Sequence, residues 1–195
     1  GLLCYQNGAF TNYRPPGGIA ANQVLALTAG RDGSLWIGTV VGLHCLRQGQ
    51  WASYTTTNGL PQNEVRAIHE DRTGNLWIGT LGGGLAKINR TGVDKSKDIE
   101  LGTMAVYSTT NGLSNNNVWA LHEDNDGVLW IGTERGLSRL NDGRLTVFTT
   151  REGLYDDLIG EILEDDLDRF WIGCDRGIYR VAKRDLNDFA EGRTK

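Results

Sequence analysis

The chain has 195 residues, with 27 Gly, only 3 Pro, and Trp and Tyr at 6 each, a profile of many short strands joined by tight turns that disfavours long helices. Its net charge of −4 excludes a basic surface large enough to follow a phosphate backbone, so nucleic acid is not an expected partner. No apolar run approaches the roughly 18 residues of a membrane span, and the opening Gly1-Leu2-Leu3-Cys4-Tyr5 has neither an initiator Met nor the shape of a signal peptide, which reads as a soluble piece of something longer.

Self-similarity organises the rest. Trp-Ile-Gly occurs at Trp36, Trp77, Trp130 and Trp171, at spacings of 41, 53 and 41 residues, so one period of 41 is interrupted once by 12 residues. In chain order, residues 1–16 are the end of a truncated copy, because Leu2, Cys4, Gly8, Phe10 and Tyr13 step onto Leu43, Cys45, Gly49, Trp51 and Tyr54. Residues 17–57 form the first full copy, in which Gly18, Asn22, Val24 and Ala26 match Gly59, Asn63, Val65 and Ala67 of the second. The second copy, 58–110, carries the insertion at 91–102, a polar stretch expected to be a surface loop. A third copy spans 111–151, a fourth spans 152–182 with three strands, and 183–195 reads as a short helix or an extended connection.

Within the second copy, strands are predicted at Val65–Glu70, Leu76–Thr80, Gly84–Asn89 and Met104–Thr109, separated by Asp71 to Asn75, by Leu81-Gly82-Gly83 and, after the fourth, by Asn111-Gly112. Four antiparallel strands per copy of about 41 residues predict an all-β fold: a β-propeller segment of four-stranded blades, about four repeats plus a partial N-terminal blade. A small sheet shelters neither face alone, and stacking between neighbours buries both. The repeated Trp fills the gap between twisted sheets, and Asp71 and Asp124 are expected to accept hydrogen bonds from the turns that follow them. Cut blades at both ends predict an open arc that self-associates through unpaired edges or meets neighbouring blades or domains of a parent protein.

The pattern Asn-Gly-Leu, then Asn and Val, then His-Glu-Asp, then Leu-Trp-Ile-Gly-Thr is fullest at Asn111 to Val118, His122 to Asp124 and Leu129 to Thr133. It resembles the two-component regulator propeller repeat, over nearly the whole chain. The resemblance implies a periplasmic or extracytoplasmic sensor segment of a membrane-anchored hybrid histidine kinase or diguanylate cyclase, reading a small molecule such as a glycan fragment. The fourth copy departs at Glu161 for Ala, Cys174 for Thr and Asp168 at the turn Gly, and no family ligand residue carries over by position.

Residues with chemical potential read mostly as scaffold. His69 and His122 share one repeat position, as strand-end structural residues, and His44 stands alone, exposed or packed. Asp124-Asn125-Asp126-Gly127 is similar to the start of a calcium loop but lacks the later ligands, so no metal is expected; Glu164, Asp165, Asp166 and Asp168 form a second acidic run. Gly82-Gly83-Gly84 precedes a strand rather than a helix and is a hairpin turn, not a phosphate cradle. Three cysteines, Cys4, Cys45 and Cys174, cannot all pair and have no metal-site spacing; they read as packing residues with free thiols. No cofactor is expected.

Binding potential lies where copies differ. Leu25, Arg66, Trp119 and Gly160 share one position just inside the first strand, and the loops Asn58 to Asn63 and Asn111 to Asn117 are expected on one propeller face. The candidate ligand-binding residues are Arg66, Trp119, Asn63, Asn115, Asn117 and Glu161, since amides and an aromatic face suit sugar hydroxyls and rings. The expected function is therefore a non-enzymatic sensor that binds a small polar ligand or carbohydrate or docks a partner. A protein-interaction scaffold is the alternative, and a propeller lyase or glycosidase working through Glu161 or Asp165 a further one.

Overall fold

The computed structural model describes residues 1–13, 23–90 and 102–193. Strands β1 (Leu2–Gln6) and β2 (Ala9–Tyr13) form a hairpin, followed by a sheet of β3 (Val24–Ala29), β4 (Leu35–Thr39), β5 (Gly42–Arg47) and β6 (Gln50–Tyr54) in that order. The next two sheets repeat this order with β7 (Val65–Glu70), β8 (Leu76–Thr80), β9 (Leu85–Asn89) and β10 (Thr103–Tyr107), then β11 (Val118–Glu123), β12 (Leu129–Thr133), β13 (Gly136–Asn141) and β14 (Arg144–Phe148). The last sheet has three strands, β15 (Glu161–Glu164), β16 (Arg169–Cys174) and β17 (Gly177–Ala182), and leads into helix α1 (Lys183–Ala190). These sheets are the antiparallel blades of a propeller, numbered 1 to 4 from the one that begins with β3.

Most of the predicted insertion, 91–101, lies outside the described residues, as do Gly18 and Asn22. One of the 12 extra residues sits elsewhere: Thr80 to Gly84 is one step longer than Thr39 to Gly42 or Thr133 to Gly136, so the β8–β9 turn holds it. The triple glycine there bonds outward, Gly82 N and Gly84 N both donating to Asn116 O at 3.1 and 3.0 Å. The Asn111-Gly112 turn also proves more elaborate. A turn of 3₁₀ helix at Thr109–Asn111 is closed by Gly112 in the left-handed region and opened by a Ser108/Asn111 capping box, with the same device at Thr55/Asn58 and Thr149/Glu152.

The chain divides into two compact units, Gly1–Thr80 with Ala86–Ala105 and Leu81–Leu85 with Val106–Lys195. In the first, Trp36, Leu43 and Cys45 of blade 1 pack on Val65, Ile68 and Ile78 of blade 2. In the second, Trp130, Leu137 and Phe148 of blade 3 pack on Ile159, Ile162 and Phe170 of blade 4, and α1 adds Leu186 and Ala190 to that core where a fourth strand is missing.

In blades 1 and 3 the Gly of Trp-Ile-Gly is there for approach rather than for backbone freedom. A Cβ on Gly38 would lie 2.8 Å from Val65 Cγ1, and one on Gly132 would lie 2.8 Å from Ile159 Cγ2. The glycine is a slot for the aliphatic residue that opens the next blade, and its loss would pry two blades apart.

Hydrogen bonding explains the recurring Asp. The indole Nε1 of Trp77, Trp130 and Trp171 donates to Asp71, Asp124 and Asp165, six residues earlier, at 2.8 Å in each case. The same carboxylates accept from turn amides, including Asn75 N, Val128 N and Arg169 N. A cation from the third strand lies over each of these rings: Lys87, Arg139 and Arg180. Blade 1 departs from this scheme, having Gly30 in place of the Asp and Cys45 in place of the cation.

Candidate functional site

The position singled out by its variability is a structural singularity. The pairing of β3 with β4, β7 with β8 and β11 with β12 shifts register between Val24 and Ala26, Val65 and Ala67, and Val118 and Ala120. Leu25, Arg66 and Trp119 are thus the extra residues of three β-bulges on the innermost strands. A bulge frees one residue from the ladder and re-aims its side chain, so the blade can vary that residue without losing its sheet. The fourth equivalent, Gly160, donates its N–H to Gly173 O at 2.8 Å just before β15 begins.

In the first unit, half-buried Arg66 sets its Nε 2.8 Å from Glu64 Oε1, with Nη2 on the same oxygen. Glu64 was not singled out from the sequence, although residues two apart on an extended chain share a face. Asn63 serves the scaffold. Its Oδ1 accepts from Thr56 N at 2.8 Å, as Asn116 does from Thr109 N at 2.9 Å and Asp157 from Thr150 N at 2.6 Å. That repetition ties each 3₁₀ turn to the strand that follows.

In the second unit, Asn115 Oδ1 accepts from Asn117 N at 2.8 Å, and Asn117 Nδ2 reaches Glu134 Oε2. Trp119 is half-buried on its bulge. Glu161 is exposed and borders an open hollow of about 430 Å³ walled by Gly160, Gly173, Cys174, Gly177 and Ile178. The structure therefore joins Asn115 to Asn117, seats Glu161 against blade 4's own backbone, and places Arg66 and Asn63 in the other unit.

One aromatic group escaped the sequence reading. Tyr155 is exposed, with the Arg176 guanidinium 5.8 Å from its ring centroid and Arg176 Nε 3.5 Å from Asp156 Oδ2. Its signal was available, since Tyr155 occupies the loop position held by Pro61 and Ser114 in the earlier copies.

The acidic runs are taken up by structure. Burial raises the Asp165 carboxyl, but hydrogen bonds from Trp171, Leu167 N and Arg169 outweigh it and hold the group down at about 2. Asp71 shifts in the same direction: burial again opposes, and Thr73, Asn75 and Trp77 prevail. Asp124, in the calcium-like stretch, holds Asp126 N and Val128 N at 2.9 and 3.0 Å, and no group of His, Cys, Asp and Glu able to hold a metal occurs among the described residues. His122 Nε2 meets Glu164 Oε2 at 2.9 Å across the blade 3–blade 4 interface, and buried His44 bridges Ser53 Oγ at 2.8 Å and Thr39 Oγ1 at 3.3 Å. Burial lowers the affinity of His44 for a proton. A second hollow, of about 320 Å³, lies beside Asp126, Asp168, Lys183, Asn187 and Arg193, but its buried Lys183 already pairs with Glu164 at 2.5 Å and Asp168 at 3.3 Å.

Residues 18–40, 59–82 and 112–135 match the two component regulator propeller family. Among solved structures, the chain is similar to the extracellular domain of a hybrid two component system from B. thetaiotaomicron, at 23% identity and TM-score 0.78, covering 94% of this chain and 25% of that one. It is also similar to PorZ, a surface component of the type-IX secretion system of Porphyromonas gingivalis (15% identity, TM-score 0.67, 94% of this chain and 30% of that one). Virginiamycin B lyase from Staphylococcus aureus, in a catalytically inactive form with quinupristin, follows at 15% identity and TM-score 0.64, covering 84% of this chain and 53% of that one. No curated protein matches the sequence. The chain spans a quarter to about half the length of these structures, and identities this low establish the shared propeller fold.

Proposed function

We propose that this chain, which carries two-component regulator propeller repeats, is a non-enzymatic sensing segment that works outside the cytoplasm as part of a membrane-anchored signalling protein and binds a small polar ligand, a glycan fragment being the best match. The observation that carries the reading is the bulge. The innermost strands of blades 1 to 3 hold their scaffold residues fixed and offer one variable side chain each, and the choices Arg66 and Trp119 are a hydrogen-bonding fork and a flat aromatic face. Exposed Tyr155 under Arg176, with Asn117 beside Glu134, extends that chemistry over the loops of blades 3 and 4. An aromatic face stacks on a sugar ring while amides and carboxylates take its hydroxyls. A non-catalytic role is supported by the fate of the carboxylates: Asp71, Asp124 and Asp165 are each occupied by an indole N–H and turn amides, which leaves them no part in acid–base work.

A thermal-shift screen against oligosaccharides tests the proposal. Binding is expected to raise Tm in proportion to ligand concentration, and Trp119→Ala or Tyr155→Ala to abolish the shift while leaving the unliganded Tm within a few degrees. A silent panel, or shifts untouched by both substitutions, overturns it. Turnover of chromogenic glycosides that is lost in Glu161→Gln favours the lyase or glycosidase reading instead.

A further inference from the structure

Blade 4 presents bare the face that blades 1 and 3 bury. On that face Ile178 is 75% exposed and Trp171 41%, whereas their counterparts Leu43, Leu137, Trp36 and Trp130 are fully buried. Leu163, opposite Trp171 in the β15–β16 ladder, is exposed on the same face. The hollow beside Gly173 has a definite meaning in this setting. Gly38 and Gly132 are slots filled by Val65 and Ile159 of the following blade, but a Cβ on Gly173 would meet only Glu161 of its own sheet, at 3.4 Å. Backbone groups complete the match. Blade 3 receives blade 4 through Ile159 N donating to Thr133 O at 2.9 Å and Gly136 N donating to Asp157 O at 2.6 Å, and the corresponding groups on blade 4 are Cys174 O and Gly177 N.

The same chain carries the complementary surface. Val65 and Ile68 of β7, and Ile159 and Ile162 at β15, are what fill the slot and cover the Trp inside each unit. On β3 the equivalents are Val24, which is half-buried, and Leu27, which is 51% exposed where Ile68 is 9% and Ile162 3%. The blade contacts run chiefly through the innermost strand of one sheet and the first two strands of the other, so β3 can make them without a complete blade in front of it.

We infer that the blade 4 face is a socket for the innermost strand of another repeat, and that in this chain its occupant is β3 of a second copy, with Val24 in the Gly173 slot and Leu27 against Ile178 and Trp171. The contact is head-to-tail: the socket and the strand are different surfaces, so association continues from copy to copy rather than closing on a two-fold axis. It proceeds through buried faces with a defined register, not through random pairing of strand edges.

Sedimentation velocity on the full chain up to the millimolar range tests this. The wild type is expected to form species larger than a monomer that grow with concentration. Ile178→Asp and Leu27→Asp, both at exposed positions and verified as folded by circular dichroism, should each weaken association about ten-fold or more. Gly173→Val, which fills the slot without adding charge, should do the same. An equimolar mixture of the Ile178→Asp and Leu27→Asp chains should form a 1:1 dimer, because one retains the strand and the other the socket. A wild type that stays monomeric throughout, variants that associate like wild type, or a mixture no more associated than its components each overturn the inference.

Discussion

Blades 1 and 3 bury the same ring in different hydrogen-bonding settings. Trp130 donates its indole N–H to Asp124, lies under Arg139 of its own sheet, and is capped edge-on by Phe170 at 4.9 Å between centroids. Trp36 is as deeply buried, yet its Nε1 has no partner among the described residues and no carboxylate stands six residues before it. Its cation comes instead from the segment after β9: Arg90, itself buried, sits 5.0 Å from the Trp36 ring centroid and donates to Asp32 at 3.0 Å, with Arg47 3.6 Å from the same carboxylate. The difference shows which part of the repeat is indispensable. Burial of the ring survives the loss of the carboxylate, while the cation over it is replaceable by Arg90 of the neighbouring blade, held there by Asp32. An orphaned indole N–H costs about 1–3 kcal/mol, less than the roughly 3–5 kcal/mol that loss of a core Trp would cost.

The largest effect that would break the comparison is expected at Asp124. Asp124→Ala strands at least two buried donors, Val128 N and Trp130 Nε1, and should destabilise by about 2–5 kcal/mol in urea unfolding. Blade 1 tolerates Gly at this position because its turn is rebuilt around Asp32, which accepts from Ser34 N at 3.1 Å and Ser34 Oγ at 2.5 Å. Restoring the acid does not restore the pairing: a Cβ on Gly30 would fall 2.2 Å from Ser34 Oγ, so Gly30→Asp is not expected to act as a repair.

Next in size is the pair that substitutes for Asp in blade 1. Burial raises the Asp32 carboxyl, but its bonds to Ser34 and Arg90 prevail and hold it well below the ordinary value of 3.8. A carboxyl whose pKa is depressed in the folded state contributes stability that is present above the unfolded value and lost as pH falls through the folded one. Arg90→Met should therefore cost about 1–3 kcal/mol at neutral pH, since breaking the pair is partly offset by removing two guanidinium nitrogens that have no partner among the described residues and by Arg47 remaining near Asp32. The cost should shrink as pH drops below 3.8, where the unfolded carboxyl protonates first. A penalty that grows towards acid pH would show that Arg90 does not act through Asp32.

Much of this was legible beforehand because repetition makes one sequence its own alignment. The period, the four-stranded blade and the burying role of the Trp follow from matched positions such as Val65 with Val118 and Gly79 with Gly132. The Asp71–Trp77 bond was missed because a spacing of six has no local rule behind it; it arises only when the turn folds back over the strand. Arg90 was invisible for a different reason, since it acts on a ring 54 residues earlier and its own repeat position carries no such role. Of the candidate site, the variable bulge position could be read from the sequence, but the bulge itself and the engagement of Asn63 with Thr56 needed coordinates. Tyr155 could be found only as a departure from Pro61 and Ser114 at the same repeat position, because an exposed loop residue carries no burial pattern of its own.

The smallest expected effect is also the most discriminating. Trp→Phe removes the indole N–H and part of the ring, and the lost volume is the same in both blades. In blade 3 the substitution also takes away the donor that Asp124 holds, leaving a carboxylate that is 1% exposed with one fewer partner. In blade 1 it removes a donor that has no partner among the described residues, so the polar part of the change is favourable rather than costly. Trp36→Phe should accordingly be milder than Trp130→Phe by about 1–3 kcal/mol, read as the difference between two urea midpoints at equal m-value. Equal losses in the two variants would mean that the Trp36 N–H is satisfied by a group such as a buried water, and blade 1 would then be a second solution to the same hydrogen-bonding demand, not a release from it.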